Sequence, residues 1–173
     1  MAETPIVRGA TLSDVPERRD VYHPHDYQPP EGSWASSEPI RRTMLGNRHR
    51  DTRPELAVRR AVWAKGLRYR VAYRPVKAVR RSADLVFTRV RVAVFIDGCF
   101  WHGCPEHYRA PATNIDYWTA KIAGNSTRDR ETDRLLAEAG WTVVRIWEHE
   151  LAVEAATRVA GSVRERLEGL ART

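Results

Sequence analysis

Residues 91–107 decide the fold of this chain and hold most of its chemistry; they read RVAVFIDGCFWHGCPEH. The first six form an apolar run that is typical of a buried strand. The next eleven contain both cysteines, two of the six histidines, an acid and a Phe-Trp pair. Side chains that bind metals or transfer protons therefore follow one strand end, in a loop, where binding and catalytic groups concentrate.

The hydrophobic pattern around this strand predicts an α/β domain with a mixed sheet flanked by helices. Thr52-Arg53-Pro54-Glu55 is a capping box with proline in the first turn, so a helix is expected to run to about residue 65. Alternating residues predict a strand with a basic outer face at 67–73, and further strands are expected at 83–87, 90–96 and 141–147. Amphipathic patterns predict helices at about 115–139 and 152–167.

The chain has 173 residues and a formal net charge of +7 at pH 7, and its basic residues are concentrated in one block. Residues 40–95 carry 16 Lys and Arg against 3 acidic residues, whereas 1–39 and 96–173 are net acidic. Arginine matches phosphate with planar, forked donors, so this block favours a nucleic acid as the partner. The alternative is a basic face that is merely solvated.

The ends of the chain and its cysteine content predict domain limits and location. Residues 1–39 contain six of the ten prolines, which favours a disordered or loosely packed tail before a domain at 40–173. Neither a run of about 18 apolar residues nor a signal peptide is visible. Two cysteines in such a chain point to the cytoplasm, and no membrane segment is expected. A nucleic-acid partner would associate the protein with the nucleoid, and a monomer is the default expectation.

The loop at 97–107 has the donors of a zinc site. Cys99, Cys104 and His107 suit tetrahedral Zn²⁺, which needs a fourth ligand. The sequence offers His149, after the last predicted strand, or His102 inside the loop. Four protein ligands would make the site structural, because no coordination position stays open. The alternative is a pair of free or oxidised thiols beside incidental histidines.

Two acids are candidates for catalysis. Asp84 stands in the most basic part of the chain, where a carboxylate near DNA phosphate is repelled unless a divalent cation intervenes. Its alternative role is a turn aspartate that pairs with Arg80 or Arg81. Asp97 ends the neighbouring strand and could approach Asp84 across the hairpin; its alternative is an ordinary Asp-Gly turn.

One face of the predicted helix at 115–139 carries polar residues within an apolar stripe. Asn125 and Asp129 interrupt the stripe, whose other members are Trp118, Ile122, Thr132 and Leu136. Asp129 could orient a catalytic histidine, or it could pair with Arg128 or Arg130 on a solvated turn.

The aromatic residues divide into two groups. Phe100, Trp101 and Trp118 could insert between DNA base steps, and two flanking glycines favour exposure of the first two. Core packing is expected of three others, Trp63, Trp141 and Trp147.

Together these motifs resemble the very-short-patch repair (Vsr) endonucleases from about Arg41 to Leu151. The most specific part is Gly98-Cys99-Phe100-Trp101-His102. The other matching stretches are Arg50-Asp51-Thr52 with Glu55, Ala83-Asp84-Leu85-Val86, Tyr117-Trp118, Lys121-Ile122, Asn125, Arg128-Asp129-Arg130, Gly140-Trp141 and Trp147-Glu148. The resemblance implies a restriction-endonuclease-like core and Mg²⁺-dependent nicking of duplex DNA 5′ of the T in a T:G mismatch, which arises when 5-methylcytosine deaminates.

The resemblance also implies a role for each matching residue. Asp84 and the main chain of Ile96 would hold Mg²⁺, and His102 would be the general base, oriented by Asp129, with Glu55 in support. A structural zinc would then be held by Cys99, Cys104, His107 and His149. DNA would be contacted by the wedge aromatics Phe100, Trp101 and Trp118 and by Arg50, Lys121 and Asn125.

The sequence departs from the family pattern at two places. The zinc loop uses Cys104 and His107 where some members arrange His and Cys differently, although the donor types still suit Zn²⁺. Asp97 stands where members often have histidine, and an acid there could be a second metal ligand. Two other functions therefore remain open: a nicking nuclease with another mismatch or site specificity, and a zinc-stabilised DNA-binding domain without catalysis. Proteins of a repair pathway are further expected partners.

Overall fold

The computed structural model describes residues 41–42 and 50–172. From residue 50 onward the elements are α1 (Arg53–Ala64), β1 (Arg70–Tyr73), β2 (Ala83–Phe87), β3 (Val92–Asp97), α2 (Ile115–Glu138), β4 (Thr142–Trp147) and α3 (Ala152–Ala171). The predicted order of helix, three strands, helix, strand and helix is confirmed. The predicted tail at 1–39 and the start of the domain near residue 40 lie outside the described residues and stay predictions.

The four strands form one mixed sheet in the order β1-β2-β3-β4. β1 with β2 and β2 with β3 are antiparallel, whereas β3 and β4 are parallel. The parallel pair requires a crossover connection, and α2 provides it. The carboxyl ends of β3 and β4 therefore lie at the same edge of the sheet, which is the usual place for ligand sites in such folds.

The helices cover both faces of the sheet. Val58 and Val62 of α1 share one hydrophobic cluster with α3 and with alternate residues of β2, β3 and β4. Leu136 of α2 packs in a second cluster, on Phe95 and its neighbours of the opposite face. The α/β prediction is thus confirmed. Within the described residues no helix is long and apolar enough to cross a membrane.

Two sequence predictions were wrong in detail. The strand predicted at 67–73 begins only at Arg70, where pairing with β2 starts opposite Val86, and it ends at Tyr73 as predicted. Within it, Ala72 adopts a φ of 47°, and Tyr73 is exposed. Trp63 was expected in the core but is 53% exposed. It lies one residue beyond the buried Val62, and the guanidinium of Arg68 covers its ring at 3.6 Å.

Candidate active site

The pleat of the sheet directs three charged side chains toward the α2 face. The second cluster, on that face, contains Val86, Phe95 and Val143. Side chains two residues apart along a strand share a face, so Asp84, Asp97 and Arg145 project to the same side.

These side chains line a cavity of about 270 Å³ together with His102 and Asp129. The cavity brings together four of the five predicted catalytic residues. The fifth, Glu55, is buried at the start of α1 and is not among the described residues that line the cavity.

Asp84 is half-buried and has no cationic partner at contact distance among the described residues. Its Oδ2 accepts a hydrogen bond from the main-chain N–H of Ile96 at 2.7 Å. Burial raises the pKa of Asp84 to about 6, and the charge of Glu55 adds to the increase, although the bond from Ile96 opposes it. The alternative pairing with Arg80 or Arg81 does not form. Such a carboxylate gains strongly when a divalent cation binds.

His102 and Asp129 form a hydrogen-bonded pair. Nδ1 of His102 lies 2.6 Å from Oδ2 of Asp129, so the other ring nitrogen carries the lone pair when the imidazole is neutral. Burial alone would lower the pKa of His102, but the bond to Asp129 and the charges of Asp97 and Asp129 outweigh it and raise that pKa. The alternative ion pairs of Asp129 with Arg128 or Arg130 are not formed.

Asp97 lies against Arg145, not Asp84. Both of its oxygens accept hydrogen bonds from Nη1 of Arg145 at 2.8 Å, and Oδ1 lies 3.7 Å from Nδ1 of His102. Burial raises the pKa of Asp97, whereas the charge of Arg145 opposes the increase. A role as a second metal ligand would therefore require this ion pair to open.

Glu55 caps α1 and forms a buried ion pair. Its main-chain N–H donates to Oγ1 of Thr52 at 3.4 Å, and that hydroxyl donates to Oε1 of Glu55 at 3.0 Å. Oε2 accepts from the main chain of Asp51 and from Arg59, both at 2.9 Å. The predicted capping box is confirmed with one difference. The main-chain N–H that donates back to the Glu55 side chain belongs to Asp51 and not to Thr52.

The ligand atoms of Cys99, Cys104, His107 and His149 all lie within 4.8 Å of one another. Nδ1 of His149 is 3.1 Å from the sulfur of Cys99 and 3.7 Å from that of Cys104. Both cysteines are free of disulfides. Tetrahedral zinc with bonds of about 2.0–2.3 Å separates its ligand atoms by roughly 3.3–3.8 Å, so this donor set fits. Of the two candidate fourth ligands, the structure brings His149 to the thiols, while His102 binds Asp129.

The aromatic residues of the loop form a cluster with α2. Phe100 and Trp101 contact the ring of Trp118 edge to face, with centroids 5.1 and 5.9 Å away. Nδ2 of Asn125 donates to the carbonyl oxygen of Trp101 at 2.6 Å and fixes the loop. Trp118 is 7% exposed, unlike the predicted wedge, because its helical face points at the loop. It could enter DNA only if the cluster opened.

The residues predicted to contact DNA differ in accessibility. Arg50 and Lys121 are exposed, whereas Phe100, Trp101 and Asn125 are half-buried. Asn125 already uses its amide for the loop and for Arg128. Arg50 and Lys121 are therefore the more accessible polar candidates.

Comparison with known proteins identifies the family of the chain. Residues 37–107 match the model of the family described as DNA mismatch endonuclease Vsr. The Type II nicking enzyme V.NaeI of Lentzea aerocolonigenes is 46% identical over 124 residues, which cover 70% of this chain and 75% of the relative. The chain belongs to the Vsr endonuclease family.

Two further Vsr-family relatives show the range of similarity. The Type II nicking enzyme V.NmeDIP of Neisseria meningitidis serogroup C is 38% identical over 74% of this chain and 85% of its own length. The DNA mismatch endonuclease Vsr of Escherichia coli K12 is 34% identical over 57% of this chain and 62% of its own length.

Sequence reasoning missed one residue that lines the cavity of this Vsr-family site and two charged residues near it. Arg145 lines the cavity and forms an ion pair with Asp133 of α2. Arg59 is 7% exposed and pairs with Glu55 at the start of α1. A signal existed for Arg145, because it is the single charged residue within the apolar strand Thr142–Trp147. A charge that interrupts a strand core requires a partner.

Proposed function

We propose that this Vsr-family protein nicks duplex DNA by Mg²⁺-dependent hydrolysis of the phosphodiester bond 5′ of the T in a T:G mismatch. One observation carries the proposal: Asp84, half-buried and without a cation at contact distance among the described residues, shares a cavity with the His102–Asp129 pair. The relatives V.NaeI and E. coli Vsr, named as a nicking enzyme and a mismatch endonuclease, support it.

The residues divide the chemistry among themselves. Asp84 and the main-chain carbonyl of Ile96 would hold Mg²⁺, which when bound neutralises charge on the scissile phosphate. His102 accepts a proton from the attacking water. Asp129 keeps the ring oriented and stabilises the imidazolium that forms, as in other carboxylate–histidine pairs.

The zinc ligands have a different task in the proposal. Zn²⁺ bound by Cys99, Cys104, His107 and His149 would tie the loop after β3 to the residue that follows β4. Because His102 lies between the two cysteines in sequence, the metal would also fix the loop that carries it. Four protein ligands leave no open position for catalysis.

The basic block supplies contacts to DNA phosphate. Residues 60–81 contain eight Lys and Arg and no acid, and all eight are exposed. Arg81 also lines the cavity, so the cationic surface reaches the site. The half-buried Phe100 and Trp101 would insert beside the mismatch, where opening a weak wobble pair costs less than opening a matched pair, by a few kcal/mol at most.

Specificity for T:G is tested with end-labelled duplexes that differ at a single base pair, in several flanking sequences. We expect nicking of T:G and no nicking of C:G or T:A. Cleavage of another mismatch or of a matched site would support the alternative function, a nicking nuclease with a different specificity. That alternative is favoured by the higher sequence identity to V.NaeI than to the E. coli Vsr. Tight binding without cleavage would indicate a zinc-stabilised DNA-binding domain.

The pH dependence of nicking should report His102. Its pKa is raised above 6.5, through Asp129 and Asp97 against the effect of burial, and the neutral form is the base. The single-turnover rate should therefore fall as pH drops through a pKa above 6.5. Asp129→Asn removes a bond and a charge that raise this pKa, so the acidic limb should move to lower pH and the maximal rate should fall. An unchanged limb would contradict the assignment of His102.

The salt dependence of binding should report the basic block. Each phosphate contact contributes a slope of roughly −0.9 to log K against log salt. The double variant Arg74→Ser, Lys77→Ser should therefore reduce the slope by about 1–2. Arg164→Ser is the matched control, since Arg164 is exposed on α3, which covers the face of the sheet opposite to the cavity. A slope unchanged by the double variant would show that DNA phosphates do not contact Arg74 and Lys77.

A further inference from the structure

We infer that Arg145 is a positioning residue that holds three carboxylates in place around His102, and that it does so without contacting DNA. The inference rests on the proposed function, because the reaction is the one assigned to this cavity.

The hydrogen-bonding capacity of Arg145 is fully used inside the protein. A guanidinium has five N–H donors. Nη1 gives two bonds to Asp97 at 2.8 Å, and Nε donates to Asp133 at 3.0 Å. Nη2 lies 3.0 Å from Oδ1 of Asp133 and 3.3 Å from Oδ1 of Asp129. No nitrogen is left without a carboxylate, so none is available for a DNA phosphate.

The position of Arg145 connects three elements. It lies on β4 directly opposite Phe95 of β3, and its guanidinium is 5.0 Å from the centre of that ring. Asp129 and Asp133 are four residues apart and so lie on the same face of α2. The guanidinium therefore joins β3, β4 and α2 beside the loop that carries His102.

Loss of Arg145 would leave three acids close together without their shared cation. Like charges at this separation repel, and Asp129 would be free to leave Nδ1 of His102, which it contacts at 2.6 Å. Lysine cannot replace arginine here, because one ammonium group cannot match the planar fork that meets three carboxylates.

Kinetics separate positioning from binding. Arg145→Gln and Arg145→Lys are compared by single-turnover nicking at saturating protein and by Kd for duplex DNA without divalent cation. We expect nicking rates about 10- to 100-fold lower, the range typical for loss of orienting groups, while Kd changes by less than about threefold. Arg134→Gln is the matched control, since it breaks an exposed ion pair to Glu138 on α2, and its rate should equal that of the wild type.

A spectroscopic readout does not depend on nicking, so it separates failure of this inference from failure of the proposed function. Long-range proton–nitrogen correlation spectra show which ring nitrogen of His102 bears the proton. We expect a single Nδ1–H tautomer in the wild type and a mixture in Arg145→Gln. Asp133→Asn removes one support from a half-exposed position; it should keep the fold, give a partial mixture and slow nicking by about threefold to tenfold.

Three results would overturn the inference. Full activity of Arg145→Lys would mean that charge alone matters. A rise in Kd as large as the loss of rate would place Arg145 on the DNA. An unchanged tautomer in the variants would show that Asp129 and His102 keep their geometry unaided. If neither Arg145 variant folds, the tautomer of His102 in Asp133→Asn decides alone.

Discussion

Asp84→Asn is expected to be inactive and yet more stable than the wild-type protein. The asparagine keeps the shape of the side chain but cannot supply the negative charge that would hold Mg²⁺, so nicking should fall by about 1000-fold or more, as expected when an electrostatic contribution of at least about 4 kcal/mol is lost.

The gain in stability follows from burial of the carboxyl group. The pKa of Asp84 rises from 3.8 to about 6 on folding, chiefly through burial. A raised pKa means that the folded state disfavours the ionised form of Asp84. The protonated carboxyl group therefore contributes stability to the folded protein that is fully present below pH 3.8 and is lost as pH rises through about 6. At neutral pH without added Mg²⁺ the ionised group costs up to about 3 kcal/mol, which the asparagine removes.

Thermal unfolding between pH 4 and 8, without added Mg²⁺, tests this expectation beside the nicking assay. The difference in Tm between Asp84→Asn and wild type should grow from pH 4 to 7. Glu131→Gln is the control, because Glu131 is exposed on α2 and should alter neither quantity. A loss of stability in Asp84→Asn would show that the carboxylate serves folding and would contradict its metal-binding role.

Removal of zinc is expected to have the second largest effect. Cys104 is 1% exposed and lies within 4.8 Å of three other donor groups, so loss of the metal leaves buried polar groups without a partner. The free energy of structural zinc binding is also folding free energy. Cys104→Ser and His107→Ala should lose the metal, and Tm should drop by about 10 °C or more.

His102→Gln is the matched control for the zinc experiment, since it removes the remaining histidine of the loop. It should retain zinc and wild-type stability while nicking is lost. Atomic absorption of the purified proteins gives the metal content. Zinc loss in His102→Gln, with retention in His149→Ala, would reverse the assignment; an absence of zinc in the wild-type protein would exclude the site.

Much of the fold could be predicted because its local signals agree with its packing. The cap at Thr52, the apolar run at 92–96 and the stripe on α2 each indicate an element that the structure forms. The left-handed backbone of Ala72 inside β1 could not be predicted, since a left-handed residue that is neither glycine nor asparagine has no sequence signature. Trp63 was misplaced because a large aromatic can be covered by an arginine instead of a core.

Less of the site could be predicted, because its geometry depends on pairs that are distant in sequence. Asp97 is tied to Arg145, 48 residues later, and no local spacing indicates that partner. The sequence identified Asp97 as an unusual acid but offered a metal as its partner, and the structure provides a guanidinium. The burial of Trp118 likewise depends on the loop that folds over α2.

In the proposed function, one cavity carries out Mg²⁺-dependent nicking at a T:G mismatch. The most direct measurement maps the cleaved bond on a T:G duplex labelled separately on each strand, with and without Mg²⁺, beside a C:G duplex of the same sequence. We predict one cut, 5′ of the mismatched T, that requires Mg²⁺ and is absent from C:G. Cleavage of both strands, equal cleavage of C:G, or an intact T:G duplex that the protein nevertheless binds would contradict the claim.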